Sequence, residues 1–370
     1  MEVRFVRSLP RRLPLRPAML LLLVLVAPAF AQQDTWTGVE RIVAVGDVHG
    51  DYDQFVKTLR AAEVVNEKDD WAAGKTHLVQ IGDVLDRGPD SRKAMDLLMK
   101  LEGQAAQAGG AVHPLIGNHE AMVLLDDLRY VHPGEVKALG GAEEFRKAMS
   151  AQGKYGKWIR THNAAIRIND LLFVHAGITP VCARLSLAQI NKAIRRELDT
   201  GDTLGIASTD GGPLWDRTLA LDDETEVAGQ LETVLKRYGA GRMVIGHTAS
   251  ASGIVARAGG RLIRIDAGMA ALYGGPASCL VVEKGAFYVV SHPKTKRKLP
   301  LEEPARQPAP VSSAAKFFLD SPPRSCHSCR QSSPRVCCPE GRPCDRSAKW
   351  PPTGGTTPRW TARSSTMPHA

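Results

Sequence analysis

The stretch Arg41-Ile42-Val43-Ala44-Val45-Gly46-Asp47-Val48-His49-Gly50 decides how the rest of the chain is read. Its β-branched apolar run predicts a short buried strand that ends at Gly46. Asp47 and His49 follow two positions apart, so both side chains fall on the same side of an extended backbone. The same grammar recurs four times: Thr76–Ile81 runs into Gly82-Asp83-Val84-Leu85-Asp86-Arg87-Gly88, and Ala111–Ile116 into Gly117-Asn118-His119-Glu120. Leu171–Val174 runs into His175-Ala176-Gly177, and Met243–Ile245 into Gly246-His247-Thr248. A lone Asp-x-His is usually a loop. Five such endings in order are a constellation.

The residue types suit one chemistry. Phosphate esters resist attack because the incoming oxygen is poor and negative charge repels it. Two cations about 3.5–4 Å apart answer both problems, given a carboxylate that can bridge and N and O ligands on each side. Asp47, His49, Asp83, Asn118, His175 and His247 supply that set. Arg87 offers a planar fork to phosphate oxygens. His119, beside Asn118, is placed to protonate the leaving oxygen, with Asp86 to hold its imidazole.

Outward from these endings, helical spacing is read at 53–62, Ser91–Leu101, Leu187–Asp199 and Val227–Tyr238, the last stopped by Gly239. From Glu120 to about Arg160 the chain reads as helical, with breaks at Gly140-Gly141 and Gly153. Hairpins are predicted across Asn169-Asp170, between Ile254–Ala256 and Leu262–Ile265, and across Lys284-Gly285. Early strands alternating with helices and later hairpins predict an α/β (α+β) fold: two mixed β-sheets packed as a sandwich, flanked by helices. Residues 32–40 read as a polar lead-in and Lys294–Lys298 as a solvated run. Trp215 reads as a packing residue. Asp266 either orients a histidine or is a turn residue before Gly268. His77, His113, His132, His162 and His292 read as ordinary.

The net charge of +9 over 370 residues suggests a polyanion binder until it is divided. Residues 1–17 carry +4 and 301–370 carry +5, which leaves the body neutral and excludes nucleic-acid binding by basicity. Five arginines precede the apolar run Ala18–Phe30, which closes on Ala29-Phe30-Ala31. This reads as a signal peptide, residues 1–31, cleaved after Ala31, for an exported, periplasmic or secreted protein with no stable membrane span after cleavage. An uncleaved anchor is the alternative, and Arg11-Arg12 hints at twin-arginine export. The catalytic domain is placed at 32–299. The Pro, Ser, Arg and Cys-rich tail, 300–370, reads as disordered or as a frame artefact. Cys182 and Cys279 read as buried small hydrophobes and the other five cysteines crowd the tail.

The five motifs resemble the phosphoprotein phosphatase branch of the calcineurin-like metallophosphoesterases over about residues 40–292. The resemblance implies a two-sheet sandwich, a metal-bridging hydroxide attacking in line, and two divalent ions, manganese or iron most often and sometimes zinc. It places Asp47, His49 and Asp83 on one ion and Asp83, Asn118, His175 and His247 on the other. Arg87 and Asn118 would meet the phosphoryl group, with His119 and Asp86 as the acid pair. The Ser-Asp-Pro stretch of the eukaryotic serine/threonine enzymes is absent. Gly212-Pro213-Leu214-Trp215-Asp216-Arg217 and Asp266-Ala267-Gly268-Met269 are instead similar to the bacterial-type Shewanella-like protein phosphatases. Arg217 is then the second phosphate ligand, and phosphotyrosine and phosphoserine/threonine both stay open. A diadenosine tetraphosphate or nucleotide phosphatase is the alternative, and a non-catalytic metal-binding module the remote one. The partner is a phosphorylated protein or small phosphomonoester. Oligomeric state is not legible.

Overall fold

Runs of apolar residues too short for helices, each punctuated by glycine, leave the chain little choice but buried strands. The computed structural model describes residues 32–301. The expected signal peptide, with cleavage expected after Ala31, and the tail from 302, with its cysteines, lie outside the described residues.

The elements run β1 (Thr35–Trp36), β2 (Arg41–Val45), α1 (Tyr52–Ala61), β3 (His77–Gln80), α2 (Ser91–Gln107), β4 (Ala111–Pro114) and α3 (Asn118–Leu124). Three short helices follow, α4 (Pro133–Ala138), α5 (Ala142–Met149) and α6 (Lys154–Ile159), then β5 (Ala165–Ile168) and β6 (Leu171–Val174). The second half holds α7 (Leu187–Thr200), α8 (Thr218–Leu221), α9 (Glu224–Tyr238), β7 (Arg242–Ile245), β8 (Val255–Arg257) and β9 (Leu262–Arg264). It closes with β10 (Ser278–Glu283), β11 (Ala286–Ser291) and β12 (Thr295–Lys298).

Two six-stranded mixed sheets result, ordered β1-β5-β6-β7-β9-β8 and β12-β11-β10-β2-β3-β4. Alternation along β2 explains the layering. Ile42 and Ala44 join Val79, Ile81, Phe173, Val244 and Ile263 between the sheets, whereas Val43 and Val45 face the helix layer that includes Phe55, Leu59 and Leu98. Central strands such as β2, β6 and β7 are buried on both faces, which is why each reads as a nearly unbroken apolar run. Burying a side chain such as Phe173 completely contributes roughly 1.5–3 kcal/mol.

The strand directions gather the site. β2, β3 and β4 are parallel neighbours, so the first three loops leave the same edge of one sheet. β6 and β7 are parallel neighbours in the other sheet and release the fourth and fifth loops together. Two strands depart from expectation. The polar lead-in contains β1, and the solvated run is β12, fully exposed and paired to β11. Among the described residues no helix is long and apolar enough to cross a membrane.

Candidate active site

Loops at buried strand ends must turn within one or two residues, and the turn costs backbone freedom. Five non-glycine residues here adopt the left-handed region: His49 (φ 47°), Asp83 (57°), Asp86 (70°), Arg87 (67°) and His247 (64°). Such strain, of order 1 kcal/mol or more per residue, persists only where surroundings over-determine it. Surroundings do so: the N–H groups of Val48 and His49 both donate to Asp83 O at 2.9 Å, and Gly88 N donates to His49 O at 3.0 Å. Gly82 has φ 107°, and a Cβ there would lie 2.7 Å from the Gly117 backbone and 2.8 Å from His175 Nδ1. Only glycine lets the loops close this tightly.

The loops bring all six expected ligand side chains together, all buried. Asp83 lies between two groups. Its Oδ1 is 3.4 Å from His175 Nε2, and its Oδ2 is 3.7 Å from His49 Nε2. On the Oδ1 side, Asn118 Oδ1 lies 3.0 Å from His175 Nε2 and 2.9 Å from His247 Nδ1, and the two imidazole nitrogens are 3.2 Å apart. On the Oδ2 side, Asp47 Oδ2 is 4.0 Å from His49 Nε2. His119 Nε2 also points inward, 3.9 Å from Asp83 Oδ2. His49, Asp83 and His119 therefore form one tight cluster and Asp83, His175 and His247 the other. Asp47, expected in the first, sits at its margin and accepts the His247 N–H at 3.1 Å.

This donor set fits divalent ions. His49 Nδ1 meets Leu85 O at 3.2 Å and His175 Nδ1 meets Ile81 O at 3.1 Å; donating there leaves each Nε2 lone pair facing inward. The lone pair of His175 then confronts two oxygens, which is repulsive unless positive charge sits among them. Ligands about 2.1 Å from a shared ion lie roughly 3.0–3.4 Å from each other, which is the spacing seen. The charges agree. Burial, then the carboxylates of Asp266 and Asp83, holds Asp47 well above the usual carboxylate range. Burial works the same way on Asp83, but His175 and His119 outweigh it and hold its pKa well below.

Asp86 Oδ2 accepts from His119 Nδ1 at 2.6 Å. Burial disfavours the imidazolium of His119, yet Asp83 and Asp86 together raise its pKa above the ordinary value. The Arg87 guanidinium lies over the Tyr130 ring at 4.7 Å and 5.8 Å from the Tyr273 centroid, with Nε buried and unpartnered. Arg217 is exposed and reaches the same edge, donating to Thr248 Oγ1 at 3.1 Å and His247 O at 3.4 Å. Trp215 packs as expected, its Nε1 bonded to Ala207 O, with its ring 6.2 Å from that of His247. Asp266 proves a turn residue: its Oδ1 accepts the Gly268 N–H at 2.9 Å. Cys182 and Cys279 are both buried and free.

Sequence reasoning passed over Glu120. Its buried carboxylate accepts the N–H groups of Asp83 (2.7 Å), Val84 (2.8 Å), Leu85 (3.2 Å) and Gly117 (2.8 Å). It holds the left-handed turn that aims Asp83. The signal was available: an acidic residue three positions after a helix-opening glycine has capping-box spacing. Tyr130 and Tyr273 were missed too, and no local pattern marks them.

With that geometry in place, a family model for calcineurin-like phosphoesterases matches residues 40–251. The chain belongs to the calcineurin-like phosphoesterase family. As a member it is a metal-dependent phosphoester hydrolase. This phosphoesterase is 30% identical to a cold-active protein-tyrosine phosphatase of a psychrophilic Shewanella species, whose crystal structure superposes with a TM-score of 0.67 over 73% of this chain and 84% of that one. It is 34% identical to an uncharacterised protein of Schizosaccharomyces pombe over 66% of this chain and 77% of that one. It is 28% identical to Shewanella-like protein phosphatase 1 of Plasmodium berghei over 59% of this chain, and spans 63% of that relative, less than two thirds.

Proposed function

We propose that this phosphoesterase is an exported phosphoprotein phosphatase acting on phosphotyrosine, phosphoserine/threonine or both. One observation carries the reading: the Asp83 carboxylate turns one oxygen to His175 and the other to His49, as a ligand shared by two ions would. Asp47, His49 and Asp83 would hold one ion and Asp83, Asn118, His175 and His247 the other. The mixed N and O donor set suits manganese or iron, with zinc admissible. Two divalent ions supply Lewis acidity, which neutralises phosphoryl oxygens and acidifies water.

The chain's own groups do the rest. Arg87, its guanidinium flanked by two rings, takes phosphoryl oxygens from one side, with Asn118 beside them and Arg217 from the other. His119 gives its proton to the leaving oxygen, and Asp86 keeps the imidazole oriented and charged. Glu120 keeps the Asp83 turn closed. Export rests on the basic, apolar and small-residue order of 1–31, and cleavage after Ala31 is checked by the mass of the mature N-terminus.

Turnover on a phosphotyrosine peptide, a phosphoserine peptide and diadenosine tetraphosphate tests the reading. It predicts that a phosphopeptide is hydrolysed fastest. Dominant turnover of diadenosine tetraphosphate overturns it in favour of a nucleotide phosphatase.

A further inference from the structure

We infer that Tyr130 and Tyr273 form an aromatic mouth that selects phosphate esters of an aryl over an alkyl alcohol; this deepens the phosphatase reading and rests on it. The Tyr130 ring lies 4.7 Å from the Arg87 guanidinium carbon and 5.3 Å from the His119 ring. The Tyr273 ring lies 5.8 Å from that guanidinium carbon and 5.8 Å from the His49 ring. Each tyrosine is about two-fifths exposed, at 41% and 42%, so each borders the centre while remaining open to solvent. Among the described residues six large hydrophobic side chains are exposed, and three of them (Tyr130, Leu272 and Tyr273) belong to this rim or its loop. Folding does not require such a concentration. A contact surface does.

The rings stand on fixed backbone. Tyr130 O accepts the Arg87 N–H at 2.9 Å. The turn carrying Tyr273 is pinned at 2.8 Å by each of three bonds: Gly275 N to Gly268 O, Tyr273 N to Ala270 O, and Ala271 N to Asp51 Oδ2. Docking against rigid aromatics sacrifices little side-chain freedom.

The leaving group then decides the preference. Arg87 receives the phosphoryl oxygens and His119 meets the departing oxygen, and Tyr130 lies against both. Atoms beyond the ester oxygen therefore emerge beside the Tyr130 ring. An aryl group arriving there has a ring against which to pack edge-on or offset. A serine methylene leaves that surface unmet. The bland account is that the rings only orient Arg87 by cation–π attraction. That account predicts equal losses on every phosphomonoester, because Arg87 serves them all.

The test compares one peptide sequence carrying phosphotyrosine or phosphoserine, with wild type, Tyr130→Ala, Tyr273→Ala, the double variant and Tyr130→Phe. We expect each alanine variant to lower the phosphotyrosine-to-phosphoserine ratio of kcat/KM by about three- to tenfold, chiefly through KM, while Tyr130→Phe keeps the ratio. Melting temperature and bound metal, measured alongside, identify a variant that has simply lost its fold, and the milder Tyr130→Leu and Tyr273→Leu then replace it. A ratio unchanged in the double variant, or equal losses on both peptides, overturns the inference. So does a wild type with no aryl preference, although that result leaves the phosphatase reading intact. Wild type inactive on both peptides but active on diadenosine tetraphosphate sinks the underlying reading instead.

Discussion

Two histidine clusters sit in this fold, and they differ in what surrounds identical side chains. His49, His175 and His247 follow strand ends in tight loops and His119 stands in the first turn of α3 just beyond β4, all among buried carboxylates. His77 opens β3 and His113 lies inside β4, both upstream of the strand ends from which the site loops leave. There His113 Nε2 meets His77 Nδ1 at 3.0 Å, and Trp36 covers His113 with ring centroids 4.3 Å apart. Each ring of the second pair is satisfied by the other and by an aromatic face, and no acid joins them in a ligand cluster among the described residues. Burial, reinforced by His77, lowers His113 to about 3. The first cluster is organised around charge that it does not itself supply. The second has been made neutral. Position relative to the strand end, not residue type, separates a reactive centre from packing.

Removing the shared carboxylate should break the first cluster most severely. Asp83→Asn is expected to lower kcat/KM by about 10³-fold or more on every substrate, since charge at both halves of the site is lost together. Exchanging His113 for asparagine should leave rates near wild type. Next comes the acid. His119→Asn should cost about 10²–10⁴-fold on an alkyl phosphate such as a phosphoserine peptide. It should cost much less on p-nitrophenyl phosphate, whose leaving oxygen needs little protonation, and equal losses on both would remove His119 from that role.

Glu120→Gln keeps the shape but weakens four charge-assisted bonds and buries an amide whose N–H₂ faces other donors. The expected cost is about 1–3 kcal/mol in denaturant unfolding, together with weaker metal retention. A variant as stable and as metal-rich as wild type would show that the turn is closed by the backbone alone.

The second cluster should leave catalysis untouched and show itself only in acid stability. His113 has a folded pKa of about 3 against the ordinary 6.5, so the unfolded chain binds a proton that the folded chain refuses. Its contribution is present above 6.5 and is lost as pH falls towards 3. Between pH 7 and pH 4 wild type should lose about 2–3 kcal/mol more than His113→Leu, by denaturant unfolding at both pH values. Identical losses would show that another group controls acid stability.

The same contrast explains what sequence could reveal. Strands buried on both faces advertise themselves, and glycine-punctuated polar residues after them mark where side chains converge. That made the two sheets and the gathering of Asp47, Asp83, Asn118 and the four histidines legible. Two of the four edge strands were not, because β1 has two residues and β12 is wholly exposed; each exists through its neighbour's open hydrogen bonds. Helix α2 outruns its expected end at Leu101 because Ala105 packs inward, carrying it past Gly103. Tyr130 and Tyr273 reach Arg87 only through tertiary folding, 43 and 186 positions away in the sequence. Glu120 was printed in the motif but does its work on backbone, which a search for ligands overlooks.

Metal content tests the central claim most directly. Purified wild type, assayed by inductively coupled plasma mass spectrometry, should carry two divalent ions per chain, and Asp83→Asn should lose them while keeping a wild-type circular dichroism spectrum. A fully active wild type holding at most one ion, or an Asp83→Asn variant holding two, would contradict the account.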